Sequence, residues 1–299
     1  MLYHYTSIQA LEGIIREAPS DRGLCFWASR YDCFGDQKEY KLGIEVIKKL
    51  LPKVERKLQP DRQIATAFVW DDIKVNKMLP LPYVISFTKR FDNDYMWANY
   101  ADKGRGVVLA LEDSENIPIK DMPSLSMRPC LYIGTMSDED LLREIETEYY
   151  NGVWSMLTGP KKDLAFGLLK ESPQLFVRFI AMYLLAYVAT RIKTDQYDRE
   201  EEIRAIIPSQ RPIPEIITLF NQAKDDINAL GIDANTMIQM IENEKLRNRP
   251  NGEKVYYKEL FLPSRILTKV YIKDPSKYHE VDDILRRNGF HAIDIEILP

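Results

Sequence analysis

Four short clusters carry side chains able to do chemistry: Tyr3-His4-Tyr5-Thr6, Asp36 with Glu39, Ser86-Phe87-Thr88, and Glu200-Glu201-Glu202-Ile203-Arg204. The last has two geometries. As a helix, Glu200 and Arg204 stand at i and i+4, a solvated pair worth roughly 0.3–0.5 kcal/mol. As a strand, Glu200, Glu202 and Arg204 project from one face and gather two carboxylates and a guanidinium in one place. Such carboxylates could stabilise positive charge developing on a substrate or hold a hard divalent cation. His4 is one of three histidines. Set among aromatic residues, it is either a structural imidazole bonded to a backbone carbonyl or a group that holds a ligand. Asp36 and Glu39 suit the N-cap and first turn of the helix that follows. Ser86 and Thr88 read as ordinary strand residues, and Trp97 and Tyr100, one turn apart, as core or as a stacking platform. His279, at a polar helix start, and His291, on an alternating strand face with Ile293, Ile295 and Ile297, are not site candidates.

Composition narrows the classes. The net charge of −4 comes from 41 basic and 45 acidic residues that are interspersed, so no global field favours a nucleic-acid backbone, although a local basic groove stays open. Three cysteines without a C-x-x-C pair argue against a disulfide framework or a structural zinc site and read as reduced thiols. The start lacks the pattern of a signal peptide, which makes a cytoplasmic location the expectation. The most apolar run, Leu175 to Thr190, contains Arg178 and is shorter than the roughly 20 residues that span a bilayer, so it reads as a buried helix and no membrane partner is expected. Gly104 and Gly106 precede a strand, the reverse of a dinucleotide fingerprint.

The elements that must position these residues follow from periodicity. A first strand leads, through Thr6 or Ser7 as cap, into a helix with Ile8, Leu11, Ile14 and Ile15 on one side. A strand from Leu24 to Ser29, a helix from about Lys38 to Leu58, a strand from Tyr83 to Thr88 and a short aromatic helix through Tyr95 to Tyr100 come next. The Val-Val-Leu-Ala-Leu run after Gly106 is a strand. Ser137 starts a helix with Asp138, Glu139 and Asp140 in its first turn, and the chain is mostly helical from there to Thr190. Helices are expected over Pro214 to Leu230 and Asp233 to Leu246. A strand over Ile266 to Ile272, a helix ending at Arg286 to Gly289 and an alternating strand over His291 to Ile297 close the chain. The expected architecture is α+β: one domain over 1–299 with a mixed sheet, helices inserted between its strands and a mostly helical insertion around 137–192.

Taken in order, the opening LYHYTS, the Asp36-x-x-Glu39 step, the run ISFTKRFDNDYMWANYADKGRGVVLAL and the Tyr197-x-x-Glu-x-Glu-x-Arg204 segment resemble a large bacterial family whose domain has no assigned function. The similarity covers most of the chain, and the central run is its specific part. Gly35 and Gln37 stand where that family usually has Asn and Pro, and Asn99 where it often has His. A weaker similarity is to ADP-ribosyltransferases, which place a His on a first strand, a Ser-x-Ser/Thr on a middle strand and a Glu-x-Glu on a later one. That resemblance implies an ADP-ribosyltransferase-like fold and NAD as cofactor. It implies Glu202 as catalytic carboxylate with Glu200 as partner and His4 on the ribose, and Tyr5, Thr6, Ser86, Thr88, Trp97 and Arg204 around the dinucleotide. The acceptor would be a protein or nucleic acid, in toxin-type modification or phage defence.

Two other classes compete. A metal-dependent nuclease or hydrolase would use Asp36, Glu39, Glu200 and Glu202 around magnesium. A non-catalytic recognition or defence module would use Glu200, Glu202 and Arg204 as a structural ion network, viable only if every charge is paired. The enzyme reading needs His4 and the two glutamates in one cleft.

Overall fold

The computed structural model describes residues 1–16, 23–34, 38–58, 82–112, 126–158, 184–207, 218, 221, 224–225, 235, 243–249 and 252–299. Its framework is a mixed, mostly antiparallel sheet with helices on both faces, an α+β fold. The first strand, β1 (Leu2–Thr6), leads into helix α1 (Ile8–Arg16), whose entry Ser7 caps by accepting from the Ala10 amide. Strand β2 (Leu24–Arg30) precedes helix α2 (Lys38–Leu58), and strand β3 (Tyr83–Thr88) precedes helix α3 (Asp94–Tyr100), which Asn93 caps through the Met96 amide. Next come β4 (Val107–Leu111), β5 (Ser126–Pro129), β6 (Leu131–Ile133), helix α4 (Asp138–Thr158), β7 (Ile192–Thr194), β8 (Glu202–Ile207), β9 (Lys245–Asn248), β10 (Lys254–Leu262), β11 (Leu267–Ile272), helix α5 (Tyr278–Arg287) and β12 (Asp294–Ile297).

The main sheet runs β12-β11-β4-β1-β3-β2-β10-β9, and β8 with β5 branches from β3. Along one edge β3 pairs with β8 from end to end. Along the other it is shared, with β1 reaching Thr88 and β2 reaching Val84 and Tyr83. Register fixes the faces, because side chains alternate with period two. Tyr3 opposite Thr88, and Thr88 opposite Glu202, set Tyr3, Tyr5, Ser86, Thr88, Glu202 and Arg204 on one face. Leu2, His4, Thr6, Ile85, Phe87, Ile203 and Ala205 fall on the other.

That second face carries the aliphatic core, in which Leu11, Ile14 and Ile15 of α1 and Val281, Ile284 and Leu285 of α5 cover the sheet. On the first face, α3 brings Met96 and Trp97 against Tyr5, Val108 and Tyr271. A separate apolar cluster joins α2 to α4 and to residues 184–192. Gly43 makes that contact close, since a Cβ there would sit 2.2 Å from the Ala189 carbonyl oxygen. One turn earlier on α2 stands Glu39, which the close approach brings to β8.

Two expectations need correction, at residues 245–246 and at His291. Residues 245–246, expected to end a helix, begin β9, because they pair with β10 at Tyr257 and Tyr256. Of the two helices expected over 214–246, Thr218, Asn221, Lys224, Asp225 and Asn235 are helical and most of the rest lies outside the described residues. His291 sits in an exposed turn ahead of β12, where the chain is still leaving α5. Most of the apolar run from Leu175 also lies outside the described residues, and its end, Leu184 to Thr190, is buried. Among the described residues no helix is long and apolar enough to cross a membrane.

Candidate functional site

The segment after β7 turns through a short 3-10 helix, Asp195–Glu200, and Glu201 takes a left-handed conformation, φ +43°. Glu201 is thereby turned out to solvent beside Arg90, with Glu200 and Glu202 both directed inward. Glu200 therefore precedes the strand and does not share its face by alternation, contrary to the strand reading. It meets Glu202 through a third residue, Lys193 of β7. Lys193 Nζ lies 2.5 Å from Glu200, 2.8 Å from Glu202 and 3.5 Å from Glu39.

Arg204 completes the arrangement. Its Nε and Nη2 clasp the Glu202 carboxylate at 2.8 and 3.0 Å, Nη2 also donates to Glu39 at 2.9 Å, and Nη1 donates to the Thr190 carbonyl and to the Tyr31 hydroxyl. A guanidinium has five N–H groups, and each of these has an acceptor. Further donors complete the carboxylates: Tyr100 to Glu200 at 2.6 Å, Tyr31 to Glu39 at 3.2 Å and the Cys130 thiol to Glu202 at 3.5 Å. The Tyr132 hydroxyl accepts from the Glu202 amide. Glu200, Glu202, Lys193 and Arg204 are each no more than 4% exposed. Three carboxylates and two cations leave a formal charge of −1, spread by these donors.

Such burial would drive a lone carboxyl towards neutrality. For Glu202 desolvation does push upward, but Arg204 and Lys193 outweigh it and hold the carboxyl well below the usual carboxylate range. Lys193 is desolvated too, and Glu202 with the neighbouring acids raises it above an ordinary lysine. Desolvation and Glu200 raise the Tyr100 hydroxyl. All of these groups are locked in the protonation state they hold at neutral pH, the opposite of a general acid or base tuned to exchange a proton. The cluster is a charged keystone that ties α2, β7, β8 and the Tyr31 turn together.

His4 lies elsewhere. It sits on the aliphatic face between Phe26 and Phe87, and its Nδ1 donates to the Ser86 carbonyl at 2.9 Å. Ser86 occupies the fork between the points where β1 and β2 meet β3, and the imidazole satisfies its carbonyl there. Burial depresses the His4 pKa, with the Ser86 bond opposing it, so the ring is neutral with its proton on Nδ1. Imidazole and Glu202 carboxylate thus face opposite sides of the sheet and do not share a cleft; the register settles this correction. Thr6 shares the His4 face.

Tyr5, Ser86, Thr88 and Trp97 do share the Glu202 face, but Tyr5 and Trp97 are committed to the fold. The Tyr5 hydroxyl donates to the Arg90 carbonyl and accepts from the Asn93 amide, and Trp97 packs edge-on against the Tyr5 ring and donates to the Phe91 carbonyl. Thr88 is fully buried and its hydroxyl accepts from the Arg90 amide. Asp36 lies outside the described residues. Glu39, Glu200 and Glu202, the proposed magnesium ligands, converge on the Lys193 ammonium, which occupies the point a cation would need. Sequence reasoning missed Lys193, Tyr31, Tyr132 and the Thr190 carbonyl; Lys193 lies just past the apolar Leu175 to Thr190 run, and nothing in its spacing marks it as a partner of the acids.

Comparison with protein-family models, with curated proteins and with solved structures gives no match.

Proposed function

We propose that this protein acts by binding rather than by turnover, as a recognition module whose buried Glu39–Lys193–Glu200–Glu202–Arg204 cluster is its scaffold. One observation carries the reading: all five N–H groups of Arg204 are answered within the protein, which leaves none for a dinucleotide phosphate. Glu202 is likewise bound on both oxygens, and burial of a charge network is tolerable only when it is this fully paired. A defence role with a protein or nucleic-acid partner belongs to the same proposal.

The rival reading, NAD-dependent ADP-ribosyl transfer, draws on Tyr100. That residue is 46% exposed and its hydroxyl reaches Glu200, so one carboxylate of the cluster touches a solvent-facing group. The two readings separate in one assay. Incubation of the protein with millimolar NAD should release no nicotinamide above background. Steady release, abolished in Tyr100→Phe with an unchanged melting temperature, would overturn the binding reading.

A further inference from the structure

On the Glu202 side of the sheet, at its β2-β10-β9 end, a second arginine sits in a different setting. Trp27 and Tyr257 stack with centroids 4.7 Å apart and 33° between planes, and the Arg247 guanidinium lies 5.0 Å from the indole centroid and 5.8 Å from the phenol. Register places all three on one face: Glu259 opposes Trp27, Tyr257 opposes both Ser29 and Lys245, and Val255 opposes Arg247. Arg30, Arg191, Arg204 and Arg249 each reach a carboxylate within 3.1 Å. Arg247 is half-buried and, among the described residues, has no acid within ion-pair distance; its hydrogen bond is to the Ser29 hydroxyl at 3.5 Å. Two donors of this stack are buried without an acceptor, Nε of Arg247 and Nε1 of Trp27. Burial and the nearby Arg249 charge lower the Arg247 pKa, with Tyr257 and Cys33 opposing, and no carboxylate among the described residues offsets the cost of desolvating this cation.

An uncompensated cation costs stability unless a ligand supplies the opposite charge, and a ligand that binds only the folded state returns that cost on binding. Arginine on an aromatic face beside an indole N–H without an acceptor is suited to an oxyanion, because the guanidinium fork can bond two oxygens of a carboxylate or a phosphate while the indole donates to one. Lys245 and Arg249 flank the stack, each engaged with a glutamate of β10 or its turn. We propose that the Trp27–Arg247–Tyr257 stack is an oxyanion-binding site, which takes a phosphate or carboxylate group of a small ligand on Arg247 and the Trp27 N–H. None of its residues belongs to the Arg204 cluster, so the site stands whether or not that cluster is scaffold.

The test is titration of the full-length protein, labelled at its four tryptophan indoles, with inorganic phosphate and separately with acetate. A saturable shift of one indole N–H resonance, assigned by its absence in Trp27→Phe, is expected with at least one anion. The shift should vanish in Arg247→Met, and binding followed by titration calorimetry should weaken roughly tenfold in Trp27→Phe, the worth of one charge-assisted hydrogen bond. The response to phosphate against acetate distinguishes the two sources of the oxyanion. Without anion, Arg247→Met should melt no lower than the parent protein, since it removes an uncompensated charge. Unshifted Trp27 with both anions, a shift that persists in Arg247→Met, or a lower melting temperature in that variant would each overturn the proposal.

Discussion

Arg204 and Arg247 are both packed against aromatic rings on the same side of one sheet, yet their surroundings are opposite. Arg204 lies 5.5 and 5.8 Å from the rings of Tyr31 and Phe34, with Glu202 and Glu39 bonded to it and Lys193 beside them. Arg247 has a comparable aromatic seat but no acid among the described residues. The difference teaches how to separate scaffold from site. A buried charge whose every donor is answered holds elements together, and a half-buried charge with no acid beside it among the described residues is where a partner has something to contribute.

The comparison can be broken most forcefully at Lys193. Lys193→Met would leave three carboxylates around one guanidinium, and removing one member of a buried pair costs about 3–5 kcal/mol. Chemical unfolding should report a loss of that size with an unchanged dependence on denaturant; a loss below about 1 kcal/mol would mean that the acids rearrange freely.

Gly43→Ala probes the same keystone from behind. In a free helix alanine is better than glycine by about 1 kcal/mol. Here its Cβ would meet the Ala189 carbonyl at 2.2 Å and push Glu39 away from Arg204. A net loss of about 1–3 kcal/mol is expected from the overpacking. A stabilised variant would show that α2 does not need this close approach.

Lys258 sharpens the contrast with a third buried cation. It lies 4.7 Å from the Tyr83 ring, and burial lowers its pKa to about 8 from 10.5, with Glu244 opposing. Below about pH 8 folded and unfolded chains both carry the proton, and the native state bears the full cost of the buried charge. Between 8 and 10.5 only the unfolded chain still binds it, so stability rises with pH; above 10.5 the cost is gone. Lys258→Met should therefore be more stable at neutral pH, by at most about 3 kcal/mol, with the gain fading over that window. A gain independent of pH would contradict it.

Where local pattern decides, the sequence was legible. The bounds of α2 and β3 follow from the apolar stripe of Leu42, Val46, Ile47, Leu50 and Val54 and from the Tyr83-Val-Ile-Ser-Phe-Thr88 run. Strand β10 went unseen because Tyr256 and Lys258 stand on its core-facing side, so period-two alternation fails where a buried lysine replaces an aliphatic residue. The Glu202 to Ile207 run resisted for a related reason: β8 lies between β3 and β5 and is buried throughout, which leaves helix and strand indistinguishable by pattern. That Glu200, Glu202 and Arg204 form one charged group was open as the strand alternative, although Glu200 joins it from the turn before β8 and not by alternation. The face opposite His4 was not visible, because a one-residue slip in either pairing of β3 would exchange the faces. Lys193 belongs to the cluster through β7 and the turn that follows, which no spacing rule anticipates.

The proposed scaffold role of Glu202 rests on the stability that its pairing with Arg204 and Lys193 supplies. Urea unfolding of Glu202→Gln beside the parent protein tests it most directly. The loss of charge opposite Arg204 and Lys193 should lower stability by about 3–5 kcal/mol at neutral pH. Equal stability of the two proteins would contradict the account.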